Sequence, residues 1–375
     1  MKMIHLSDLH LGRRLGEFPL KEDQEDILEK ILKIVEKESP DAVLIAGDVY
    51  DRPIPPEEAV RLFGGFLEDL ARAAGAVFVI SGNHDSNIRL AFGSRLMRES
   101  NVYFSSEFKG VLEKVELTDE FGPVTLWMLP FIKPAHVGAF YNDIDHDDYT
   151  GAVARVVEGS GVDETGRNVL IAHQYVTGAE RSESEDRVIG GLENVDGEVF
   201  APFDYVALGH LHRSQKAAGE KIRYCGAPLQ YSFGEAGEEK SILVVELREK
   251  GDLEVKTVPL SPLRKMTIQT GTFDELMSSE ASSGREDFVR ADLTDEEYIP
   301  DAIRQLRKVW PNILEITYPN ISKGLSEWMA SEETEEMSPL ESLESFYRFM
   351  RGTDMSDEQE EMVERFIREI WEVEE

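Results

Sequence analysis

Five apolar runs in this sequence each end in a short motif that carries Asp, Asn or His. The motifs are Asp8-Leu9-His10, Gly47-Asp48-Val49-Tyr50-Asp51, Gly82-Asn83-His84-Asp85, Ala172-His173-Gln174 and Gly209-His210-Leu211-His212. Continuous apolar runs that alternate with helical patterns are typical of strands in a parallel or mixed sheet with both faces covered. Such sheets bind ligands beyond the carboxyl ends of their strands, so the five motifs are expected to meet at one edge.

The remaining pattern predicts an α/β fold. Strands are predicted at residues 3–6, 42–46, 76–80, 124–129, 169–172 and 205–208, and helices at residues 22–38 and 57–74. Short strands at 222–225, 241–247 and 253–258 are interpreted as antiparallel sheet that completes a two-sheet sandwich flanked by helices. This alternation of strands and helices favours layers of helix against sheet.

Four segments are predicted along the chain. The motif-bearing domain covers residues 1–262, and a small α/β domain without a catalytic motif covers residues 263–321. A glutamate-rich linker follows at 322–338, and a C-terminal helical tail occupies 339–375. Capping boxes at Ser338 and Ser356 indicate two tail helices. Their apolar stripes either fold back on the main body or bind a partner helix, and the acidic linker favours the partner.

Composition constrains the substrate class and the cellular compartment of the protein. The net charge is −34, which alone argues against nucleic acid as a substrate. Residues 322–375, however, hold 17 acidic and 5 basic residues and so account for −12 of this charge. Bound cations would also reverse the local field of a site. The single cysteine, Cys225, excludes an intramolecular disulfide and favours a reducing compartment. The N-terminus is polar and no long apolar span is visible, so we expect a cytoplasmic protein without a membrane partner.

The motifs supply the ligands of a two-metal phosphoesterase site. Divalent ions such as manganese accept carboxylate, imidazole and carbonyl oxygen together. Each motif alone would be interpreted as a turn or a loop. All five occur in order after predicted strands, however, and they contain five of the eight histidines. An acidic run at 142–148 lacks the Gly and final Glu of a calcium loop and is interpreted as a solvated loop.

As a set, these motifs resemble those of the calcineurin-like metallophosphoesterases. Within that superfamily, the segments 7–12, 47–52, 82–86 and 224–233 resemble the SbcD family of bacterial nuclease subunits. The resemblance extends over the whole chain, including the small second domain and the helical tail. Asp51 stands where related archaeal and eukaryotic nucleases tend to carry His, which favours the bacterial branch.

The resemblance implies a complete set of site residues. It assigns Asp8, His10 and His212 to one metal ion, Asn83, His173 and His210 to the other, and Asp48 to the bridge between them. It implies that His84 stabilises the transition state and protonates the leaving oxygen, while Asp51 orients and charges His84. The cofactor implied is a pair of divalent ions, expected to be Mn²⁺. Arg13, Arg14, Arg52 and Arg89 follow three of the motifs and are candidates for contacts with a DNA backbone.

The function implied is that of a DNA nuclease in end processing, repair and recombination. Expected activities are 3′ to 5′ exonuclease action on double-stranded ends and endonuclease action on hairpins or single strands. The expected partners are an SbcC-like SMC ATPase, which would take the tail helices at the base of its coiled coil, and a second copy in a homodimer. The second domain would help to hold DNA.

Two other functions stay open at this stage. The same metal site serves phosphoprotein phosphatases and cyclic-nucleotide phosphodiesterases, because one fold carries several activities. The extra domain and the helical tail argue against a small substrate. A non-catalytic scaffold is the third alternative, although every ligand position is filled here.

Overall fold

The computed structural model describes residues 1–180, 194–278, 284–321, 338–351 and 354–371. They form two compact units, the first made of residues 1–267 with 286–288 and the second of residues 268–285 with 289–375. The predicted linker at 322–338 lies outside the described residues except for Ser338.

The first unit contains the motif-bearing strands and the helices that connect them. Its strands of three or more residues are β1 (Lys2–Leu6), β2 (Ala42–Ala46), β3 (Val77–Ile80), β4 (Val102–Ser105), β5 (Glu113–Asp119), β6 (Gly122–Leu129), β7 (Arg167–His173), β8 (Tyr205–Gly209), β9 (Ile222–Tyr224), β10 (Ser241–Leu247) and β11 (Leu253–Pro259). Its α-helices are α1 (Lys21–Glu38), α2 (Glu57–Ala73), α3 (Asn87–Leu90), α4 (Ser94–Met97), α5 (Pro134–Gly138) and α6 (Tyr149–Gly159). Two-residue ladders pair Arg14–Leu15 with Phe18–Pro19 and Tyr175–Val176 with Asn194–Val195.

Two mixed sheets form the body of this unit. The first has the order β11-β10-β1-β2-β3-β4. Strands β1 to β4 run parallel, β10 runs antiparallel to β1, and β11 runs antiparallel to β10. In the second, the two residues Gln215–Lys216 are followed by β9-β8-β7-β6-β5, with β6 to β9 parallel. Parallel neighbours place their carboxyl ends side by side, so the loops that follow β1, β2, β7 and β8 share one edge of the sandwich.

The core lies between and around these sheets. Every residue of β2 and β3 is buried, as the continuous apolar runs predicted. His5 joins the sheets, because its Nδ1 lies 2.9 Å from the Tyr205 hydroxyl and its Nε2 lies 3.1 Å from the Leu208 carbonyl oxygen. Burial lowers the pKa of His5 to about 3, so this side chain is neutral in the folded protein.

Helices cover the sheets with apolar faces. On α1, Ile27, Ile31 and Val35 are buried at helical spacing. On α6, Val153 and Val156 belong to the same buried cluster as the apolar side chains of the second sheet. Each fully buried side chain of this size contributes about 1.5–3 kcal/mol of transfer free energy.

The predicted α/β sandwich is confirmed. The interpretation of residues 222–225 as antiparallel sheet is correct on one side of the strand only, because β9 pairs antiparallel with Gln215–Lys216 but in parallel with β8. The reason lies in the connection between them. Gln215–Lys216 run antiparallel to β9, so the chain reverses twice after β8 and leaves β9 in the direction of β8.

The second unit is a small α/β fold. Strand β12 (Met266–Gly271) leads into it, and its three-stranded sheet has the order β12-β13-β14, with β13 (Phe288–Leu293) and β14 (Ile313–Thr317) parallel. Its helices are α7 (Phe273–Ser278) and α8 (Ala302–Leu306). Leu293, Leu306 and Trp310 lie in its core.

The C-terminal residues form the helices α9 (Pro339–Arg351) and α10 (Asp357–Trp371). Both predicted capping boxes are present: Ser338 N donates to Glu341 at 2.8 Å, and Ser356 N donates to Gln359 at 3.0 Å. Apolar side chains on these helices stay open to solvent, with Met362 53% and Phe366 50% exposed. Among the described helices, none is long and apolar enough to cross a membrane.

Candidate metal centre

The loops after five strands of the first unit bring the predicted ligands to one place. Asp8 and His10 follow β1, Asp48 follows β2, Asn83 and His84 follow β3, His173 ends β7, and His210 and His212 follow β8. The register of the second sheet sets Gly209 beside His173. A bridge between Leu11 and Tyr50 joins the loops after β1 and β2. The site therefore depends on both sheets.

Four of these residues have left-handed backbone, which non-glycine residues rarely adopt. The φ angles are 53° for Asp8, 42° for His10, 49° for Asp48 and 106° for His210. Such conformations cost on the order of 1–3 kcal/mol each and persist where surrounding contacts hold them. Here the loops hold one another, since Asp8 N donates to the Gly47 carbonyl at 3.1 Å and His10 N donates to the Asp48 carbonyl at 3.0 Å.

Two buried polar side chains fix these loops further. Gln24, on α1, donates to the His10 carbonyl at 2.8 Å and accepts from Gly12 N at 3.0 Å. Asp85 accepts from the backbone N–H groups of Val49, Tyr50 and Gly82, at 3.1, 2.9 and 3.0 Å. The Asp85 carboxylate thus ties the loop after β3 to the loop after β2.

Glycines allow the loops to pack this closely. A Cβ atom on Gly82 would lie 2.0 Å from Asp48 Oδ1, and one on Gly209 would lie 1.9 Å from the Ala46 carbonyl oxygen. Contacts under 3.0 Å are essentially never seen for real Cβ atoms. Glycine before Asn83 and before His210 is therefore a steric requirement of the site.

The first group of candidate ligands is Asp8, His10 and His212, and all three side chains are buried. The Nε2 atoms of His10 and His212 lie 3.0 Å apart. Asp8 accepts from His210 N at 3.0 and 3.2 Å, which fixes its carboxylate plane. Burial raises the pKa of Asp8 to about 6, although nearby His173 and His212 oppose the rise.

The second group contains Asn83, His173 and His210. Asn83 Oδ1 lies 3.1 Å from His173 Nε2 and 3.1 Å from His210 Nδ1. The Nδ1 atom of His173 donates to the Ala46 carbonyl at 2.8 Å, so in a neutral ring its Nε2 carries a lone pair. Nε2 faces the Asn83 oxygen, to which it donates when the ring is charged.

Asp48 lies between the two groups. Its Oδ2 is 3.7 Å from His10 Nε2 and 3.4 Å from His173 Nε2, while its Oδ1 accepts from His84 N at 2.9 Å. Burial opposes ionisation of Asp48, but the surrounding imidazoles, His173 above all, lower its pKa well below the usual range. The same attraction overcomes burial at His173 and raises the pKa of that ring to about 9.

These contacts fit a pair of divalent cations. Carboxylate, imidazole and amide oxygen atoms converge with their lone pairs toward common points, and such an arrangement needs a proton or a cation to be stable. The donor set of oxygen and imidazole nitrogen, without sulfur, suits manganese and similar ions. Asp48 faces ligands of both groups, as a bridging carboxylate would.

His84 lies beside the two groups, within reach of a cation shared with His10 and Asp48. The ring packs edge-on against His10, and its Nδ1 lies 2.9 Å from the main-chain carbonyl oxygen of Asp51. The Asp51 carboxylate pairs with Arg13 at 3.1 Å instead. The main chain of Asp51 thus contacts the His84 ring, while the Asp51 carboxylate contacts the Arg13 guanidinium.

Two contacts of the site were missed in the sequence. Tyr231 donates to the Leu9 carbonyl at 2.6 Å and packs edge-on against His10 and His212. Glu235 lies behind His212, with its Oε1 3.5 Å from His212 Nδ1. Nothing in the local pattern separates Glu235 from the other 73 acidic residues of the chain, so only the fold reveals it.

Comparison with known proteins gives two family matches and two close relatives. Residues 1–214 match the family model of calcineurin-like phosphoesterases, and residues 259–351 match a model described as the C-terminal domain of the type 5 capsule protein repressor. The SbcD component of nuclease SbcCD from Staphylococcus epidermidis is 33% identical over 322 residues, covering 84% of this chain and 85% of that protein. The protein of the same name from Staphylococcus saprophyticus is 32% identical over 322 residues, covering 84% of each.

Solved structures give a weaker match. A dimetal phosphatase from Danio rerio is 11% identical, with a TM-score of 0.40 that covers 70% of this chain and 99% of that one. A TM-score of this size supports no argument about function.

We predict that Gly82→Ala disrupts the centre, because its Cβ would overlap Asp48 Oδ1. Overpacking of this kind costs about 1–3 kcal/mol of unfolding free energy. The matched control is Gly64→Ala in α2, where nothing lies within 4 Å of the added Cβ. Thermal unfolding should show a lower stability, and Mn²⁺ titration a lower affinity, only for Gly82→Ala. Equal Mn²⁺ binding by the two variants would contradict the close packing described here.

Proposed function

The chain belongs to the calcineurin-like phosphoesterase family and, within it, to the SbcD family, and we propose that it is a two-metal DNA nuclease. The observation that supports this most is the position of Asp48, whose Oδ2 faces His10 Nε2 at 3.7 Å and His173 Nε2 at 3.4 Å. One carboxylate thus joins two groups of ligands, which is the arrangement that a pair of ions requires.

The proposed ligands follow from the geometry and the family. Asp8, His10 and His212 would hold one ion, Asn83, His173 and His210 the other, and Asp48 both. When bound, two such ions supply Lewis acidity toward the phosphate and a nucleophile at neutral pH. We propose Mn²⁺ as the ion, because the donors are oxygen and imidazole nitrogen.

His84 is the proposed general acid. The Asp51 carbonyl oxygen can only accept a hydrogen bond, so Nδ1 of His84 carries a proton and Nε2 holds the exchangeable one. In the charged ring, Nε2 can donate to the leaving oxygen of a cleaved phosphodiester. The carbonyl keeps the ring in this orientation without a second titrating group.

A cationic pocket beside the centre supports a nucleic acid as substrate. Its cavity measures about 280 Å³, and its lining includes Arg13, Arg14, Lys21 and Arg52. The chain as a whole has 74 acidic and 40 basic residues, whereas the lining of this cavity has four cations and one acidic residue, Glu58. Two of these cations have acidic partners, Arg13 with Asp51 and Lys21 with Glu25. Phosphate contacts of this kind hold a DNA backbone in register.

Arg13 connects this pocket to the metal centre. Its guanidinium pairs with Asp51 and lies 4.9 Å from the centre of the Tyr231 ring, which in turn contacts His10. A strand bound in the pocket would therefore pass directly beside the proposed ligands. Arg89, on α3, is exposed and is a further candidate for backbone contacts.

The proposed substrates are DNA ends and hairpins. The relatives are named as components of a nuclease. We propose 3′ to 5′ exonuclease action on double strands and endonuclease action on hairpins or single strands, as the family resemblance of the motifs implies. We place this activity in the processing of DNA ends during repair, recombination and replication. The single cysteine of the chain fits a reducing, cytoplasmic compartment.

We predict that His84→Ala abolishes cleavage and leaves the metals bound. Loss of a general acid lowers rates by about 10²–10⁴-fold. The assay uses end-labelled linear duplex and hairpin DNA, with Mn²⁺ or with chelator, and Mn²⁺ content is measured on the same samples. His146→Ala is the matched control, since His146 is exposed and lies outside the centre.

Three results of this assay would count against the proposal. Loss of Mn²⁺ from His84→Ala would show that His84 is a ligand. Cleavage that survives chelation would exclude a metal-dependent nuclease. Hydrolysis of a phosphopeptide or a cyclic nucleotide, with no cleavage of either DNA, would assign the chain to a small-substrate phosphoesterase.

The tail helices are the proposed docking site for an SbcC-like SMC ATPase. The relatives carry the name of one component of a complex, and α9 and α10 expose apolar side chains, among them Leu343 at 40%, Met362 at 53% and Phe366 at 50%. Apolar helix faces of this kind bind partner helices through spaced anchor residues.

We predict that deletion of residues 339–375 removes ATPase binding and keeps basal nuclease activity, because the metal centre lies in the first unit. Co-purification with the ATPase and the DNA assay give the two readouts. The double substitution of Met362 and Phe366 by Glu should act like the deletion. Full binding by the truncated chain would reject the tail as the docking site.

A second copy of the chain is proposed to cover the surface of α3 and α4. Ile88 is 87%, Phe92 84% and Leu96 76% exposed, and all three follow the loop of Asn83 and His84. Clusters of large exposed apolar side chains mark interaction surfaces. A homodimer through this surface would place two metal centres near one another.

We predict that the wild-type protein is a dimer, so that light scattering gives twice the chain mass of 42.4 kDa. Phe92→Glu should give a monomer, because a charge would replace the most apolar part of the surface. Val111→Glu, at a residue 47% exposed elsewhere, is the control and should stay dimeric. A monomeric wild-type protein would reject this interface.

A further inference from the structure

A buried ion pair lies behind His212, and the proposed chemistry does not use it. The side chain of Glu235 is 0% exposed, and that of Lys240 is 3% exposed. Burying two charges is costly, and such a pair adds little stability over apolar residues of the same size. Its presence directly behind a proposed metal ligand therefore needs an explanation beyond packing.

The pair contacts both the ring and the main chain of His212. Lys240 Nζ donates to Glu235 Oε2 and, at 3.0 Å, to the His212 carbonyl oxygen. Glu235 Oε1 lies 3.5 Å from His212 Nδ1. The Tyr231 backbone N–H also donates to Glu235 Oε1, at 3.3 Å. Glu235 is thus fixed by its neighbours with one oxygen toward the imidazole.

These contacts determine which nitrogen of His212 carries the proton. A carboxylate next to Nδ1 favours N–H there, which leaves the lone pair on Nε2. The Nε2 atom of His10, 3.0 Å away, must then be the donor between the two rings. His10 Nδ1 has no hydrogen-bond partner among the described residues, and Asp51 Oδ1 lies 3.9 Å from it. The proton arrangement inferred here is therefore that of His212, which Glu235 contacts more closely.

We propose that Glu235 is a positioning residue for the metal ligand His212, and that Lys240 holds Glu235 in place. This inference rests on the proposed metal centre. Glu235 would turn Nε2 of His212 toward the ion and fix the orientation of the ring, as carboxylates behind metal-binding histidines do. Lys240 would keep the carboxylate from turning away and fix the backbone at His212.

The two proposed metal sites then differ in the group that contacts the Nδ1 atom of a ligand histidine. His173, in the site of Asn83 and His210, donates its Nδ1 proton to the neutral carbonyl of Ala46 at 2.8 Å. His212, in the site of Asp8 and His10, faces a carboxylate. Loss of Glu235 should therefore weaken only the ion held by His212.

A matched set of full-length variants separates positioning from packing. Glu235→Leu combined with Lys240→Met removes both charges and keeps similar volume, so folding should be preserved. Glu235→Gln keeps the shape and removes the charge. Glu238→Gln is the control, because Glu238 pairs with Arg213 and lies 3.5 Å from Lys240 Nζ.

Three measurements are made on each variant. Mn²⁺ is titrated calorimetrically, unfolding is followed thermally, and ¹⁵N chemical shifts of the metal-free histidines report which ring nitrogen of His212 is protonated. We expect two Mn²⁺ per wild-type chain. The double variant should keep one with unchanged affinity and bind the other about 10–100-fold more weakly. Glu235→Gln should show a smaller loss of the same site, and Glu238→Gln none.

The outcomes that overturn this inference differ from those that overturn the nuclease. A folded double variant that binds both ions as wild type does would reject it. If that variant does not fold, unchanged binding by Glu235→Gln would reject it. A proton on Nε2 of His212 in the metal-free wild type would reject it without any metal. A wild-type chain that binds no Mn²⁺ would instead overturn the metal centre, and the inference with it.

Discussion

The structure of this protein depends on the close packing of buried oxygen and imidazole nitrogen atoms in the candidate metal centre. The Nε2 atom of His173 lies 3.1 Å from Asn83 Oδ1 and 3.4 Å from Asp48 Oδ2. Without a proton or a cation these atoms repel, so the surrounding chain has to hold them. Two sheets with parallel strands, glycines without room for a Cβ, and the buried side chains of Gln24 and Asp85 provide that hold. The pKa of His173, raised to about 9, reflects the same field.

The sequence allowed the position of the site to be predicted, because carboxyl ends of parallel strands share an edge. Each apolar run became a buried strand, and each motif came to lie at its end. Contacts that depend on distant segments were not predictable. Gln24 contacts His10 from a helix, and Glu235 contacts His212 from the short 3₁₀ helix Phe233–Glu235. The direction of β9 was missed because only two residues, Gln215 and Lys216, reverse the chain before it.

Charge in this chain has to be judged locally. A net charge of −34 would repel DNA if it were spread evenly. Residues 322–375 hold 17 of the 74 acidic residues and only 5 of the 40 basic ones, while Arg14, Lys21 and Arg52 line a cavity beside the metal centre. Two bound divalent ions would add four positive charges at that point. An acidic protein with a cationic site would bind a polyanionic substrate only at that site. Salt should therefore weaken substrate binding more than it slows the cleavage step.

The left-handed backbone at Asp8, His10, Asp48 and His210 limits how this protein can change during evolution. Apart from glycine, Asn, Asp and His adopt that conformation most readily, and these are also residues that bind metals. Replacement by a β-branched residue would lose the ligand and strain the loop in one step. Replacement by glycine or asparagine would lose affinity and leave the loop intact. A lineage that abandons catalysis but keeps the fold is therefore expected to pass through glycine or asparagine at these positions, and those two residues would mark its history.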